Sequence, residues 1–158
     1  MREQLLDLLL DLDGVRQDPR YHPEGDALFH TLQVFGLALR ETRDPELLAA
    51  ALLHDVGKAH AGPDHDEVGA DLLDGLLCPR VVWLVRHHLD LLRNPRRARH
   101  RRTEIGALQQ LRRWDLGGRQ RGARVLSPEQ AVAVLLDHPS LFDPGDAAGS
   151  PHDPEALL

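Results

Sequence analysis

Aromatic residues are scarce in this chain, at 4% of 158 residues, and long β-branched runs are absent. A chain so poor in Tyr, Phe, Trp and alternating apolar patterns has little material for a sheet, and its Leu and Ala favour helices. Cysteine is nearly absent too: Cys78 stands alone, which excludes an intrachain disulfide framework and suits a reducing cytoplasm. No apolar run approaches the roughly 20 residues that span a bilayer, and the opening MREQLLDLLLDLDG carries too many acids for a signal-peptide core. No membrane segment is therefore expected. Lysine occurs once, as Lys58, so almost all of the positive charge is arginine.

What is present describes one compact domain. A chain of this length buries about two-thirds of its unfolded surface, and 42% apolar with 28% charged residues is ordinary for a globular fold. Charge is unevenly spread. Residues 93–124 hold eleven arginines against Glu104 and Asp115, a local balance of +9 within a net charge of −6. This basic segment is a candidate contact for a phosphate-bearing partner, and a solvated surface is the plain alternative.

Periodicity predicts helices over 2–12, 26–41, 45–57, 65–77, 79–91, 103–114 and 128–137. Asp44-Pro45, Thr103 and Ser127-Pro128 supply start signals. The expected architecture is a single all-α helical domain over 1–138. A Pro-, Gly- and Asp-rich tail, 139–158, is expected to be poorly ordered. LLLDLDGV at 8–15 imitates the start of a haloacid-dehalogenase-type phosphatase, with Asp11 as nucleophile. That fold needs strands alternating with helices, and the stretch reads instead as an amphipathic helix with Leu5, Leu8, Leu9 and Leu12 on one face.

The stretch ALLHDVGKAH, 51–60, places ionisable groups where a helix should be buried. Successive helical residues diverge by about 100°, so His54 and Asp55 can reach one point beyond the helix. His30 lies on the apolar side of the preceding helix, beside Val34 and Leu37. Buried ionisable groups need partners. A divalent cation is one, and imidazoles with carboxylates suit Mn, Fe, Co, Ni or Zn.

His30, then LLHDVGK, then a later aspartate resembles the H…HD…D signature of HD-domain metal-dependent phosphohydrolases. The resemblance spans roughly 20–125. HPEGDALFHTLQVFGLA (22–38) and RRWDLGGRQRG (112–122) look like segments of the HD domain of bacterial tRNA nucleotidyltransferases and related RNA end-processing HD domains. The resemblance implies an HD-type helical bundle and His30, His54, Asp55 and Asp115 as ligands of a divalent metal ion, with Mg added to the candidates above. It implies Asp55, Lys58, His65 and His88 as catalytic groups. Lys58, His65, His87 or His88, Arg97 and Arg119 would meet the substrate phosphate. His22, His60 and His100 read as ordinary polar residues.

The activity so implied is hydrolysis of phosphoesters in nucleotides or RNA ends, of the 2′,3′-cyclic phosphodiesterase or phosphatase type. A two-metal hydrolase of nucleotides or dinucleoside polyphosphates is the alternative enzyme. A non-catalytic RNA-binding HD module, gripping RNA through 93–124, is the other. CCA addition by this chain alone is not expected, because the polymerising site of tRNA nucleotidyltransferases lies on a separate head domain. A partner chain or a larger parent enzyme fits as well.

Overall fold

The computed structural model describes residues 1–100 and 103–145; Arg101, Arg102 and residues 146–158, including most of the expected tail, lie outside the described residues. Nine α-helices and no strand are present among them. They are α1 (Arg2–Leu10), α2 (Ala27–Glu41), α3 (Pro45–Leu53), α4 (His65–Leu73), α5 (Pro79–His87), α6 (Asp90–Arg93), α7 (Pro95–Arg99), α8 (Ile105–Gly117) and α9 (Pro128–Leu136). The all-α expectation therefore holds. Among the described residues, no helix is long and apolar enough to cross a membrane.

Helix α3, PELLAAALL, is apolar on every side, and such a helix belongs in the middle of a fold. Leu47 to Leu53 are all buried, and α2, α5, α8 and α9 pack around it. Asp44 caps it through the backbone N–H groups of Glu46 and Leu47. Helix α1 covers the bundle against α9, burying Leu5 and Leu9 completely. The residues of the decoy motif are thus helix and its closing turn, and Asp11 is an exposed C-cap.

Helices α3, α4 and α5 each end four residues earlier than periodicity suggests, and the reasons are local. The last carbonyls of α3 are claimed by side chains: Thr31 Oγ1 donates to Leu52 O at 2.8 Å, and His54 Nδ1 to Ala51 O at 2.9 Å. The chain then tightens into a 3₁₀ turn, Val56–Ala59. Gly57 makes that turn possible, because a Cβ there would lie 2.0 Å from His65 O and 2.7 Å from Gly69 N. The same contact fixes α4 beside the end of α3. Helix α4 stops at Leu73, before the turn at Gly75, whose φ of 77° suits glycine. Helix α5 closes at His87, with α6 and α7 following; α7 lies in the arginine-rich stretch, where no helix was expected.

The tail expected from 139 onward begins as ordered structure. Pro139–Phe142 form a 3₁₀ turn, Leu141 is fully buried, and its carbonyl accepts from Cys78 N at 2.7 Å. Leucine 141 fills the gap between α3 and the start of α5, so apolar burial overrides the disorder-prone composition around it.

Candidate metal centre

Four histidines reach the same point from four helix ends or turns, and all four are oriented alike. His54 Nδ1 donates to Ala51 O at 2.9 Å, His65 Nδ1 to Gly62 O at 2.8 Å, and His88 Nδ1 to Val85 O at 2.6 Å. His30 Nδ1 donates to Gly118 O at 2.9 Å. A carbonyl can only accept, so each ring carries a proton on Nδ1 and turns its Nε2 inward. Nε2 of His54, His65 and His88 has no hydrogen-bond partner although it is buried.

Two carboxylates share this centre. Asp55 Oδ2 lies 3.3 Å from His54 Nε2 and 3.7 Å from His30 Nε2. Asp115 Oδ1 lies 2.8 Å from His30 Nε2 and 3.8 Å from His54 Nε2. His30, His54, Asp55 and Asp115 each offer one ligand atom, all within 4.8 Å of one another. Neighbouring ligands at right angles around a cation about 2.1 Å away stand about 3 Å apart, so this spacing fits a divalent ion. On its other side, Asp55 Oδ1 is 3.2 Å from His65 Nε2 and 3.6 Å from His88 Nε2, forming a second group that shares Asp55.

Electrostatics point the same way. Burial works against a charged His54, but Asp55 and Asp115 outweigh it and push the imidazole up to about 10. Burial likewise works against the two carboxylates. His54 and Lys58 hold Asp55 well below the ordinary range, and His30 and His54 hold Asp115 there. Without a cation, a proton on His54 compensates the paired carboxylates. Burial, with the neighbouring His54, lowers His88 against the pull of Asp55, so it stays neutral. The donor set therefore fits a divalent cation on chemistry as well as on spacing.

The remaining expected residues divide into two sets. Lys58 Nζ lies 2.9 Å from Asp55 Oδ2 and donates to Gln17 Oε1 at 2.6 Å. Arg119 borders Asp115: its Nε donates to Asp115 O at 3.2 Å, and Nη2 lies 3.8 Å from Asp115 Oδ1. The Asp115 side chain, 13% exposed against 2% for Asp55, marks the more open edge of the cluster. His87 faces elsewhere, with its ring 4.5 Å from Trp83 and Nδ1 3.0 Å from Asp90 Oδ2, so His88 is the member of the pair at the centre. Arg97 is exposed on α7.

Three residues of the turn-rich stretch were not anticipated. Gln17 meets Lys58, while His22 and Glu24 meet His30. His22, read as an ordinary polar residue, is half-buried with its ring 4.9 Å from that of His30. Glu24 Oε1 lies 2.8 Å from His22 Nδ1 and 2.8 Å from His30 Nδ1. The signal available was HPEGD itself, which places a histidine and a glutamate immediately before a helix carrying an inward histidine. His60 and His100 are exposed, as expected.

Comparisons with known proteins agree with this geometry. The profile of the HD domain matches residues 28–138. A stretch of 76 residues is 45% identical to the Multifunctional CCA protein of Methylococcus capsulatus, covering 44% of this chain and 18% of that protein. The Multifunctional CCA protein of Halorhodospira halophila is 43% identical over 94 residues, 49% of this chain and 23% of its own length. A Bifunctional uridylyltransferase/uridylyl-removing enzyme of Gluconobacter oxydans is 47% identical over 53 residues, 27% of this chain and 5% of that enzyme. The match thus spans a small fraction of each of these longer relatives.

Proposed function

The chain belongs to the HD-domain family, and on that premise we propose that it is a metal-dependent phosphohydrolase of nucleotides or RNA ends, of the 2′,3′-cyclic phosphodiesterase or phosphatase type. The observation that carries the reading is the convergence of four histidine Nε2 atoms on two buried carboxylates, three of those nitrogens having no hydrogen-bond partner. His30, His54, Asp55 and Asp115 would hold the divalent ion: Mn, Ni, Co, Fe, Mg or Zn. Bound there, the ion supplies Lewis-acid polarisation of a phosphoryl oxygen and makes water a nucleophile near neutral pH.

The chain's own groups divide the remaining work. Asp55, as an acceptor, orients the attacking water while holding Lys58 Nζ at 2.9 Å. The Lys58 ammonium and the Arg119 guanidinium offset the charge that builds on the phosphoryl oxygens. His65 or His88 exchanges a proton at Nε2 with the water or the leaving oxygen, its Nδ1 being committed to a backbone carbonyl. His87, Arg97 and other arginines of the basic segment would meet the substrate beyond the scissile phosphate. The CCA in the relatives' names and the sequence resemblance to HD domains of tRNA nucleotidyltransferases favour an RNA end. The uridylyl-removing relative, by its name, also breaks a nucleotidyl linkage. We assign the protein to the cytoplasm, where a lone buried thiol is undisturbed, and regard a partner chain or larger parent enzyme as compatible with its short match to those relatives.

The test is a panel of divalent metals against 2′,3′-cyclic nucleotides, nucleoside monophosphates, RNA ends and a bis-phosphodiester dye, with Asp55→Ala as control. Metal-stimulated release that disappears in the variant is expected. A metal-loaded protein inert on every substrate would overturn the catalytic reading and favour a metal-stabilised RNA-binding module. The Asp55–His65–His88 group supports a second reading, a two-metal hydrolase of nucleotides or dinucleoside polyphosphates. Metal analysis separates them: about two ions per chain favour this reading, about one favours the first.

A further inference from the structure

Between α1 and α2 the chain forms a loop, residues 15–26, closed at its base by a bridge between Arg16 and Asp26 and by Ala27 N donating to Val15 O at 3.0 Å. It precedes residues 28–138, which the HD profile matches, yet it delivers Glu24 to the back of His30. We infer that Glu24, braced by His22, is a positioning residue for the metal ligand His30. The inference rests on the metal site proposed above and adds a carboxylate behind it.

His30 differs from its three companions in how it is held. His54, His65 and His88 each bond a carbonyl three residues upstream, so their orientation is set by their own backbone turn. His30 has no such local anchor. Its Nδ1 donates to Gly118 O at 2.9 Å, brought from the end of α8, and Glu24 Oε1 lies beside that nitrogen at 2.8 Å. The carbonyl fixes a proton on Nδ1, which leaves Nε2 for the metal. A carboxylate beside Nδ1–H also raises the donor strength of Nε2, the arrangement that strengthens histidine ligands in metalloproteins.

The one hydrogen bond this side chain accepts does not require an acid. The Glu24 side chain is fully buried, Oε1 accepts from His22 Nδ1 and lies 2.8 Å from His30 Nδ1, and Oε2 has no partner. A glutamine would fill the same space without a buried anion, whose uncompensated oxygen costs stability.

The experiment titrates Mn(II) and Co(II) into chelator-stripped wild type, Glu24→Gln and Glu24→Asp. Calorimetry gives Kd, the visible bands of Co(II) report ligand geometry, and thermal melts of the metal-free proteins report folding. Glu24→Gln should bind on the order of 10–100-fold more weakly with shifted Co(II) bands, while its metal-free melt is unchanged or raised. Glu24→Asp should recover part of the affinity. Wild-type Kd and Co(II) bands in Glu24→Gln would overturn the inference. A Glu24→Gln protein that fails to fold, or loses metal-free stability alone, would overturn it too, by assigning Glu24 a structural role. Wild type that binds neither ion would overturn the metal-site reading itself, and this inference with it.

Discussion

His30 Nε2 and Asp115 Oδ1 stand 2.8 Å apart across 85 residues of sequence, and a glycine brings them together. Gly118, just past α8, packs against α2 so closely that a Cβ would lie 2.8 Å from Val34 Cγ2 and 3.1 Å from Val34 N. That approach lets α8 deliver Asp115 to His30 and lets Gly118 O take the other ring nitrogen. Asp115→Asn should therefore disable the centre while leaving the bundle intact. We expect at least about a hundredfold loss of metal-dependent turnover and weaker metal binding, with the metal-free helical circular dichroism preserved. Undiminished metal affinity would remove Asp115 from the ligand set.

Gly57→Ala tests how the 3₁₀ turn sets the site. The added methyl would meet His65 O and Gly69 N, both backbone atoms, so neither can rotate away. A loss of about 2–4 kcal/mol in a denaturant titration is expected, toward the upper end for overpacked positions. Activity at low temperature should fall as well, because α4 carries His65.

Stability against pH in the presence of a chelator follows from the shifted groups. His54 is raised from 6.5 to about 10, so its contribution is complete below about pH 6.5 and is lost as pH climbs towards 10. Asp55 and Asp115 are held below the ordinary 3.8, so their contribution is present above that value and is lost as pH falls beneath it. The stripped protein should therefore be most stable in the mildly acidic range and soften on the alkaline side, by at most about 1.4 kcal/mol per pH unit for one proton. Melts at pH 5.5, 7.5 and 9 check the sign. Metal binding at pH 7 must also displace the His54 proton, which calorimetry in buffers of different ionisation enthalpy would detect.

Leu141→Ala should cost about 2–5 kcal/mol, as expected for a fully buried leucine. A change within experimental error in a urea melt would return this residue to the loose tail that composition suggested.

The arginine stretch can be tested by salt. Replacing exposed Arg96 and Arg97 by Ser, together with Arg101 and Arg102, should raise KM for an RNA substrate and flatten its salt dependence. Turnover of a small phosphodiester dye and metal content should be unchanged. An unaltered KM for RNA would identify the stretch as plain solvated surface.

The cluster of His30, His54, Asp55 and Asp115 was legible in sequence because its residues lie in short motifs on strongly periodic helices. The apolar run around His54 and Asp55 made their charge conspicuous, and the run itself located α3. The loop holding Gln17, His22 and Glu24 was not legible in the same way: turn residues have no period, and proximity to His30 arises only when α1 folds back over the bundle. Helix α7 escaped notice because five residues between Asn94 and His100 show no amphipathic repeat, with Ala98 the one buried side chain. His87 and His88 could not be separated by adjacency; the turn after α5 decides, sending one ring to Trp83 and the other to Asp55.

The centre gathers α2, the end of α3 and α8, elements that no covalent crosslink between side chains joins. An ion seated there would act as a removable rivet, closing the chain between residues 30 and 115 much as a crosslink would. The entropy withdrawn from the open chain grows only slowly with loop length, so the larger effect should be kinetic: none of the three helices can peel away until the rivet is lost. Metal-loaded protein should then resist a protease that needs no catalytic metal, such as trypsin, for much longer than the stripped form, and its unfolding rate should track metal release. Equal digestion rates with and without metal would show that the bundle holds those helices unaided.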